Sequence, residues 1–461
     1  MKYLVFLFAA LGVPPLAYLL HLNKRWMRYV FYGMFVAFAF YSAFKLNFFS
    51  EETYRGSSRG MEVSVIYLLA AAVIIAFALR HKFSGWIPDW GCALYLLYFL
   101  LCIPSYANAA NHLYAWFETW KMMMVYIVFV AVYSYLKSTD DVDAPLKGFA
   151  FVAIYNFGLV VYEHMLGAYQ PHGIFPHQNS MALAMHLLGT LFFARYLVRG
   201  FHGRGSLLYA VAMVCAGAAL VRSFSRAAIA LVPVSYSVVL MCLWRGGIRR
   251  MLPARFAPLL IVGLIGFGAL LPRIVERFVK APESSADTRV ELARCAREMI
   301  KDKPWFGVGI NNWGIKINPP YPYAERAERN TNRRPDEDFK DGIVETVYLL
   351  VGAECGLPAL VAMIAWFGWY VWRCFLLLKK LKGTRHVYIP AGMLGGFTAV
   401  YLQSFLEWVL RQQMNLILLM FLFAIIAYLD NNWRRILAYD ERLRLKRMEA
   451  QAAKDAKEAK K

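Results

Sequence analysis

Apolar runs of about 20 residues recur along almost the whole chain, and this repetition limits what the chain can fold into. A helix of about 20 residues is long enough to cross the ~30 Å hydrocarbon core of a bilayer. The runs fall at residues 2–20, 29–49, 61–80, 88–105, 116–136, 148–167, 179–198, 206–221, 226–244, 256–275, 355–378, 388–405 and 413–430. Together with a hydrophobic content of 59%, they predict an all-α polytopic integral membrane protein.

The first apolar run leaves the number of spans open. Gly12, Val13, Pro14 and Pro15 interrupt it, and a proline inside a helix removes a backbone hydrogen bond. The run is either a kinked span or a re-entrant hairpin. We therefore expect twelve or thirteen transmembrane helices.

The basic residues indicate how the chain is oriented. The formal net charge of +21 is better explained by cytoplasmic loops rich in lysine and arginine than by a nucleic-acid partner, and none is expected. The basic clusters lie at residues 24–28, 80–82, 195–204, 245–255 and 379–385 and beyond 434. They alternate with connections poor in these residues. The alternation puts the 167–179 turn, the 222–226 turn and the long polar segment after residue 275 on the face opposite the C-terminal tail.

That polar segment, residues 276–342, divides the chain. We predict an N-terminal transmembrane bundle (1–275), a periplasmic loop with active-site elements (276–342), C-terminal transmembrane helices (343–430) and a basic cytoplasmic tail (431–461). Residues 286–300 have the spacing of an amphipathic helix. Because a connection of this length is seldom a mere linker, we interpret the segment as the reaction chamber of a membrane enzyme. Its face is the periplasm if the organism is a Gram-negative bacterium.

Three arginines fall on this predicted outer face. Arg222 and Arg226 flank a short turn between two spans, and Arg289 lies early in the polar segment. A guanidinium is always charged and binds phosphate oxygens in a bidentate manner, so a cluster of arginines at a membrane surface suits a pyrophosphate group. The alternative is that Arg222 and Arg226 only extend to the membrane interface.

The turn before the seventh run carries His172, His177 and Asn179. The two histidines are five residues apart, which is neither helical nor zinc-finger spacing, so hydrogen bonding to sugar is favoured over a metal site. Asn179 is expected to cap the helix that follows.

Glu345 and Glu354 lie in an otherwise apolar stretch. Burial of a carboxylate without a partner is costly, so each is expected to be solvated or functional. Desolvation also raises a carboxylate pKa toward the value that a general base needs. Glu407 and Arg411 are four residues apart, and the simplest interpretation is that they pair with each other.

Four motifs resemble, in order, those of the O-antigen ligase and O-antigen polymerase superfamily. They are Gly173-Ile174-Phe175-Pro176-His177-Gln178-Asn179, then Ser223-Phe224-Ser225-Arg226-Ala227-Ala228, then Arg289 with Pro304-Trp305-Phe306-Gly307-Val308-Gly309, and last Tyr348-Leu349 with Glu354-Cys355-Gly356-Leu357-Pro358. The resemblance covers residues 170 to 360. One position departs from it, because ligases of this family usually have a histidine where this chain has Glu345.

The resemblance implies a GT-C-like membrane glycosyltransferase of the bacterial inner membrane, with no metal and no cofactor. It would move a glycan from undecaprenyl pyrophosphate to a lipid A-core sugar, with inversion, at the periplasmic face. The implied catalytic residues are Glu345, Arg222 and Arg289. The implied substrate contacts are Arg226, His172, His177, Asn179, Tyr348 and Glu354. The alternatives are a polymerase of the same superfamily or, in a different class, a transporter of lipid-linked glycan.

Overall fold

The computed structural model describes residues 2–80, 89–201, 205–248, 283–328 and 342–458, together with part of the segment 254–276. Most described residues are helical, and the predicted class, an all-α polytopic membrane protein, is confirmed. Half of the predicted span 256–275 lies outside the described residues, as do residues 277–282 and 329–341 of the polar segment.

Ten helices precede the polar segment in the described part of the chain. They are α1 (Lys2–Leu11), α2 (Val13–Leu22), α3 (Lys24–Ala39), α4 (Val65–Arg80), α5 (Trp90–Cys102), α6 (His112–Thr139), α7 (Asp143–Met165), α8 (Gln178–Arg199), α9 (Ser206–Arg222) and α10 (Arg226–Leu243). Short 3-10 and π-helical turns extend α5 and α10 at Ile103–Asn108 and Trp244–Ile248.

The remaining described helices belong to the polar segment and to the second group of spans. They are α11 (Glu283–Asp302), α12 (Trp313–Lys316), α13 (Tyr323–Glu328), α14 (Val347–Cys355), α15 (Leu357–Lys380), α16 (Tyr388–Gln403) and α17 (Gln413–Glu458). A 3-10 turn, Val409–Arg411, links α16 to α17.

Eight helices of the described residues are long and apolar enough to cross a membrane. They are Tyr3–Leu22, Trp90–Asn108, His112–Thr139, Asp143–Met165, Gln178–Arg199, Arg226–Gly247, Leu357–Lys380 and Gln413–Ala438. Val65–Arg80 and Ser206–Arg222 are shorter apolar helices. The first run is one stretch of 20 residues, since α1 passes into α2 with the Leu16 amide donating to the Gly12 carbonyl. The structure therefore favours the kinked span over the hairpin.

One part of the fold was not predicted. The sequence predicts spans along the whole of the runs 29–49 and 61–80, but their facing ends form an antiparallel hairpin of β1 (Lys45–Phe48) and β2 (Met61–Ser64). The Lys45 ammonium lies 2.9 Å from the Glu62 carboxylate across this pair. Charged side chains at the end of an apolar run favour an extramembrane position, and the two strands satisfy each other's backbone there.

The long helices α8 and α17 form the middle of the bundle. The apolar window of α8 is 89% buried and that of α17 is 94% buried. Within these windows both helices are mainly apolar on every side, which is the pattern of a helix packed on all sides. The N-terminal ends of both helices lie at the end of the bundle that carries the polar segment, so they present residues to it.

The polar segment folds around a small core of its own. The amphipathic helix predicted at residues 286–300 is confirmed as α11, and its apolar face packs with Trp313, Val344 and Leu350. Trp313 is fully buried, and its indole N–H donates to the Gly342 carbonyl at 2.9 Å. This core attaches α11 to α14, which leads into the membrane helix α15.

Basic residues at described helix ends lie at the other end of the bundle. Arg28 pairs with Asp141 at 2.9 Å, and Arg435 pairs with Asp140 at 2.6 Å. Both aspartates follow the C-terminus of α6. At the other end of this helix, the amide of Asn111, the residue before α6, donates to the side-chain oxygen of Asn312 in the polar segment at 2.8 Å. The described connections in these contacts thus lie at opposite ends of α6.

Candidate functional site

The turn between α9 and α10 places two arginines on one face. Phe224 has a positive φ of 49°, and the buried Ser223 hydroxyl donates to the Leu220 carbonyl at 2.7 Å. The same hydroxyl accepts from the Ser225 amide at 3.2 Å. These contacts close the turn within three residues, so that one helix ends at Arg222 and the next begins at Arg226.

Arg222 and Arg226 have different surroundings. The Arg222 guanidinium contacts the ring of His164 near the end of α7, and it lies 5.4 Å from the centre of the Phe224 ring. The positive charge of Arg226 acts to lower the pKa of Glu407, against the effect of burial. Both arginines are only partly buried, so both remain accessible to a ligand at this end of the bundle.

Arg289 of α11 connects two carboxylates. Its Nε donates to Oε2 of Glu345, and its Nη2 lies 3.5 Å from Oε1 of Glu407. About a third of each of the Arg289 and Glu345 side chains is exposed, at 35% and 36%. The pair therefore borders solvent, whereas Glu407 lies behind it.

Glu407 is the acidic residue of this cluster that the sequence did not assign to it. The residue is only 6% exposed, and the Asn179 side-chain amide donates to Oε1 at 2.6 Å. Burial raises the pKa of Glu407 to about 7, and the nearby charge of Glu345 adds to that rise. The charges of Arg289 and Arg226 and the hydrogen bond from Asn179 act in the opposite direction.

The predicted pairing of Glu407 with Arg411 is wrong. Arg411 is 3% exposed and binds Glu118 at 3.0 Å and Glu354 at 2.6 Å. Two residues four positions apart lie on the same face only if the α-helix between them is continuous. Here a 3-10 turn, Val409–Arg411, follows Glu407 and changes the direction of the chain. The two residues thus belong to different clusters.

Glu354 belongs to a buried charge network. It is 1% exposed, and besides Arg411 it accepts from the Trp313 amide at 3.2 Å. Glu118 of the same network also binds Lys121 at 2.7 Å. The network holds two acidic and two basic side chains, so each buried charge has a partner. The structure does not bring Glu354 to the exposed cluster, so a substrate contact by Glu354 stays a prediction that its burial does not favour.

The Pro304–Gly309 motif docks the polar segment onto α14. The Val308 amide donates to the Ala353 carbonyl at 2.8 Å, and the Gly309 amide donates to the Glu354 carbonyl at 3.0 Å. Gly307 has a φ of +64°, and a Cβ there would lie 2.3 Å from the Glu354 carbonyl carbon. Only glycine fits this close approach. Two of the sequence motifs are therefore the two sides of one interface.

The predicted residues of the 170–180 turn occupy the same end of the bundle. The exposed His172 ring lies 3.7 Å from the Glu163 carboxylate. His177, rather than Asn179, caps α8, because its Nδ1 accepts from the Asn179 amide at 3.2 Å. The capping role expected of Asn179 is thus wrong, and its side chain is directed to Glu407 instead.

Tyr348 does not point into the cluster. Its hydroxyl donates to the Tyr401 carbonyl at 2.9 Å, and its ring packs 4.5 Å from that of Phe405. The structure thus brings together four of the predicted site residues, Arg226, Arg289, Glu345 and Asn179, around Glu407. A substrate role for Tyr348 stays a prediction.

A local signal for Glu407 does exist in the sequence. It is a carboxylate among Phe405, Leu406 and Trp408, which is the same argument that singled out Glu345. That argument does not single out Glu407, because Arg411 lies four residues away and suggests an ion pair instead.

The described residues contain no group of three or more His, Cys, Asp or Glu side chains placed to hold a metal ion. What the cluster offers instead is guanidinium groups beside carboxylates at a membrane surface. Guanidinium groups bind phosphate oxygens, and a partly desolvated carboxylate accepts a proton near neutral pH.

A family model described as O-antigen ligase matches residues 211–364. The segment 211–364 is thus similar to the O-antigen ligase and polymerase superfamily. Members of that superfamily are membrane enzymes of the glycosyltransferase type that act on lipid-linked glycans. No curated protein matches the chain. The O-antigen ligase segment contains Arg222, Arg226, Arg289 and Glu345, whereas Asn179 and Glu407 lie outside it.

Proposed function

We propose that this chain is a member of the O-antigen ligase family and transfers a glycan from undecaprenyl pyrophosphate to a hydroxyl of an acceptor sugar, in the lipid A-core for a ligase. The transfer takes place at the periplasmic face of the bacterial inner membrane. The observation that carries the proposal is the contact of Arg289 with Glu345 and Glu407, at the end of the bundle where the motif-bearing turns meet.

The arginines form the donor site of this proposal. Arg226 and Arg289 lie around one cluster, and Arg222 leaves the same turn as Arg226. Their positive charge binds the diphosphate and balances the negative charge that grows on it as the glycan leaves. Because the charge is supplied by arginine, no metal is needed for this step.

The reaction is a single displacement at the anomeric carbon. The acceptor oxygen forms a bond to that carbon, while the bond from the carbon to the phosphate oxygen breaks and its electron pair leaves with undecaprenyl pyrophosphate. The proton of the acceptor hydroxyl goes to Glu345, whose carboxylate is partly exposed beside Arg289. Attack opposite the leaving group inverts the configuration.

A polymerase of the same superfamily is the second candidate, and the observation that favours it is Glu345 itself. Ligases of the family usually have histidine at this position, so the carboxylate suits a different acceptor, the end of another lipid-linked glycan. Both candidates use the same donor chemistry. They differ in which acceptor hydroxyl is placed beside Glu345.

The test is a transfer assay with purified protein, a glycan-linked undecaprenyl pyrophosphate donor and either lipid A-core or lipid-linked glycan as acceptor. Release of undecaprenyl pyrophosphate is measured. We expect Arg222→Lys, Arg226→Lys and Arg289→Lys each to reduce release at least tenfold, because lysine keeps the charge and loses the bidentate fork.

Arg297→Lys is the matched control, since Arg297 is an exposed arginine on the same helix as Arg289. It should behave like the wild type. Full transfer by all three site variants would mean that these arginines do not bind the donor. No release from wild-type protein with either acceptor would contradict the proposed function.

A further inference from the structure

Glu407 is held in place from one side by the start of α8. The Asn179 side-chain amide donates to Oε1 at 2.6 Å, and Asn179 is itself fixed at both ends of its backbone. Its amide donates to His177, and its carbonyl accepts from Gln403 at 3.3 Å. A buried carboxylate with a pre-oriented donor adopts one position, so Glu407 presents its charge in a fixed direction.

On its other side Glu407 faces one edge of the Arg289 guanidinium. That edge consists of Nε, which donates to Glu345, and Nη2, which lies 3.5 Å from Glu407. A guanidinium is planar and has five N–H donors. With two carboxylates on one edge, Nη1 has no hydrogen-bond partner among the described residues, and we take it as the group that meets phosphate oxygens.

We infer that Glu407 is a positioning residue for glycan transfer: its carboxylate, oriented by Asn179, holds Arg289 and through it Glu345 in the arrangement that receives donor and acceptor. The inference rests on the proposed function. It adds a residue outside the O-antigen ligase segment, 62 positions after Glu345. Glu407 does not touch substrate in this arrangement, because only 6% of its surface is exposed.

This role depends on the charge of Glu407. The groups that face it from neighbouring elements are Asn179 of α8, Arg226 of α10, Arg289 of α11 and Glu345 before α14. Their combined effect, with burial, leaves its pKa at about 7. Below that pH the protonated carboxyl no longer attracts Arg289, so transfer should decline on the acid side of neutrality.

The test compares Glu407→Gln with wild type in the transfer assay from pH 5.5 to 8.5. We expect kcat to fall roughly 10- to 100-fold. KM for the donor should stay the same or decrease, because the variant loses a negative charge beside the diphosphate site. The residual activity should also lose the decline near pH 7. Glu407→Asp, which keeps the charge on a shorter side chain, should recover part of kcat.

A structural ion pair would give a different result in a melting experiment. Because the folded-state pKa of Glu407 is raised from its ordinary value of 4.5 to about 7, its contribution to stability is lost as pH rises through about 7. A neutral glutamine avoids that loss, so the melting temperature of Glu407→Gln at pH 8 should equal or exceed that of wild type. A clear decrease would overturn the positioning role in favour of a structural one.

Glu298→Gln is the matched control, because Glu298 is a carboxylate on the helix of Arg289 that pairs only with Lys301 at 2.7 Å among the described residues. It should leave kcat and the pH profile unchanged. Active wild type with unaffected Glu407→Gln would overturn the inference and leave the proposed function intact. Inactive wild type would overturn the proposed function, and the inference with it.

Discussion

Glu345 is partly exposed to solvent and forms an ion pair with Arg289. Its side chain is 36% exposed and contacts Arg289, and it lies at the start of the segment that leads into α14. An exposed carboxylate that is held by a guanidinium can meet an acceptor hydroxyl without first leaving a buried pocket. The position of Glu345 therefore allows an acceptor hydroxyl to approach its carboxylate. The catalytic role of Glu345 stays a prediction.

We expect Glu345→Gln to reduce the transfer rate roughly 10²- to 10⁴-fold, because glutamine keeps the size of the side chain and removes its basicity. Glu345→His should retain part of the activity, since it restores the residue that is usual in ligases of the family. Donor binding, measured with undecaprenyl pyrophosphate, should persist in both variants. If the glutamine variant turns over normally, the base lies elsewhere, and His172 and His177 are the next residues to change.

At the scale of elements, the 304–309 motif and the 354–358 motif pack against each other in one interface. The Pro304–Gly309 turn adds hydrogen bonds to the end of α14, and the Pro304 carbonyl accepts from the Leu357 amide at 2.8 Å at the start of α15. The buried pair of Arg411 and Glu354 fixes the same region from the inside. Together these contacts hold α11, and hence Arg289, against the membrane bundle.

Replacement of Gly307 by alanine should weaken this contact. The new Cβ would meet the Glu354 backbone at 2.3 Å in a left-handed conformation, and the strain and overpacking together should cost roughly 2 kcal/mol or more. The melting temperature and the transfer rate should both decrease.

Gly368→Ala is the comparison, since a Cβ on that glycine of α15 meets no atom within 4 Å. It should be neutral or slightly stabilising, as expected for alanine in a helix. Equal melting temperatures for the two variants would show that the docking of the 304–309 turn contributes little to stability.

At the scale of the whole molecule, the two ends of the bundle differ in charge and in folded structure. One end carries the polar segment, the hairpin and the carboxylate–arginine cluster, and the other carries the basic helix ends and the C-terminal extension of α17. Positively charged connections favour the cytoplasmic side. We therefore propose that the cluster faces the periplasm.

Cysteine labelling in spheroplasts tests this orientation. Glu325→Cys on the polar segment and Lys382→Cys after α15 both introduce a thiol at an exposed position, while the seven native cysteines are buried. A membrane-impermeant maleimide should label position 325 from outside and position 382 only after lysis. The reverse result would place the cluster in the cytoplasm and contradict the periplasmic assignment.

Much of the architecture is already determined by the sequence. Apolar runs of spanning length specify the fold class and most helices because each helix satisfies its own backbone in lipid, so local composition is enough. The amphipathic spacing of residues 286–300 likewise predicted α11, and the alternation of basic clusters separated the two ends of the bundle. In each case the property depends on residues that are neighbours in the chain.

The contents of the site were decided by tertiary structure. Asn179 and Glu407 are 228 residues apart, and no local pattern reports such a contact. The sequence offered Arg411 as the partner of Glu407, but pairing by spacing requires a continuous helix, and the chain has a 3-10 turn there. Glu345 and Glu354 looked alike in the sequence, yet one borders solvent beside Arg289 and the other is buried with Arg411. Which charges meet depends on how distant helices pack, because burial and partners are properties of the assembled bundle rather than of any one segment.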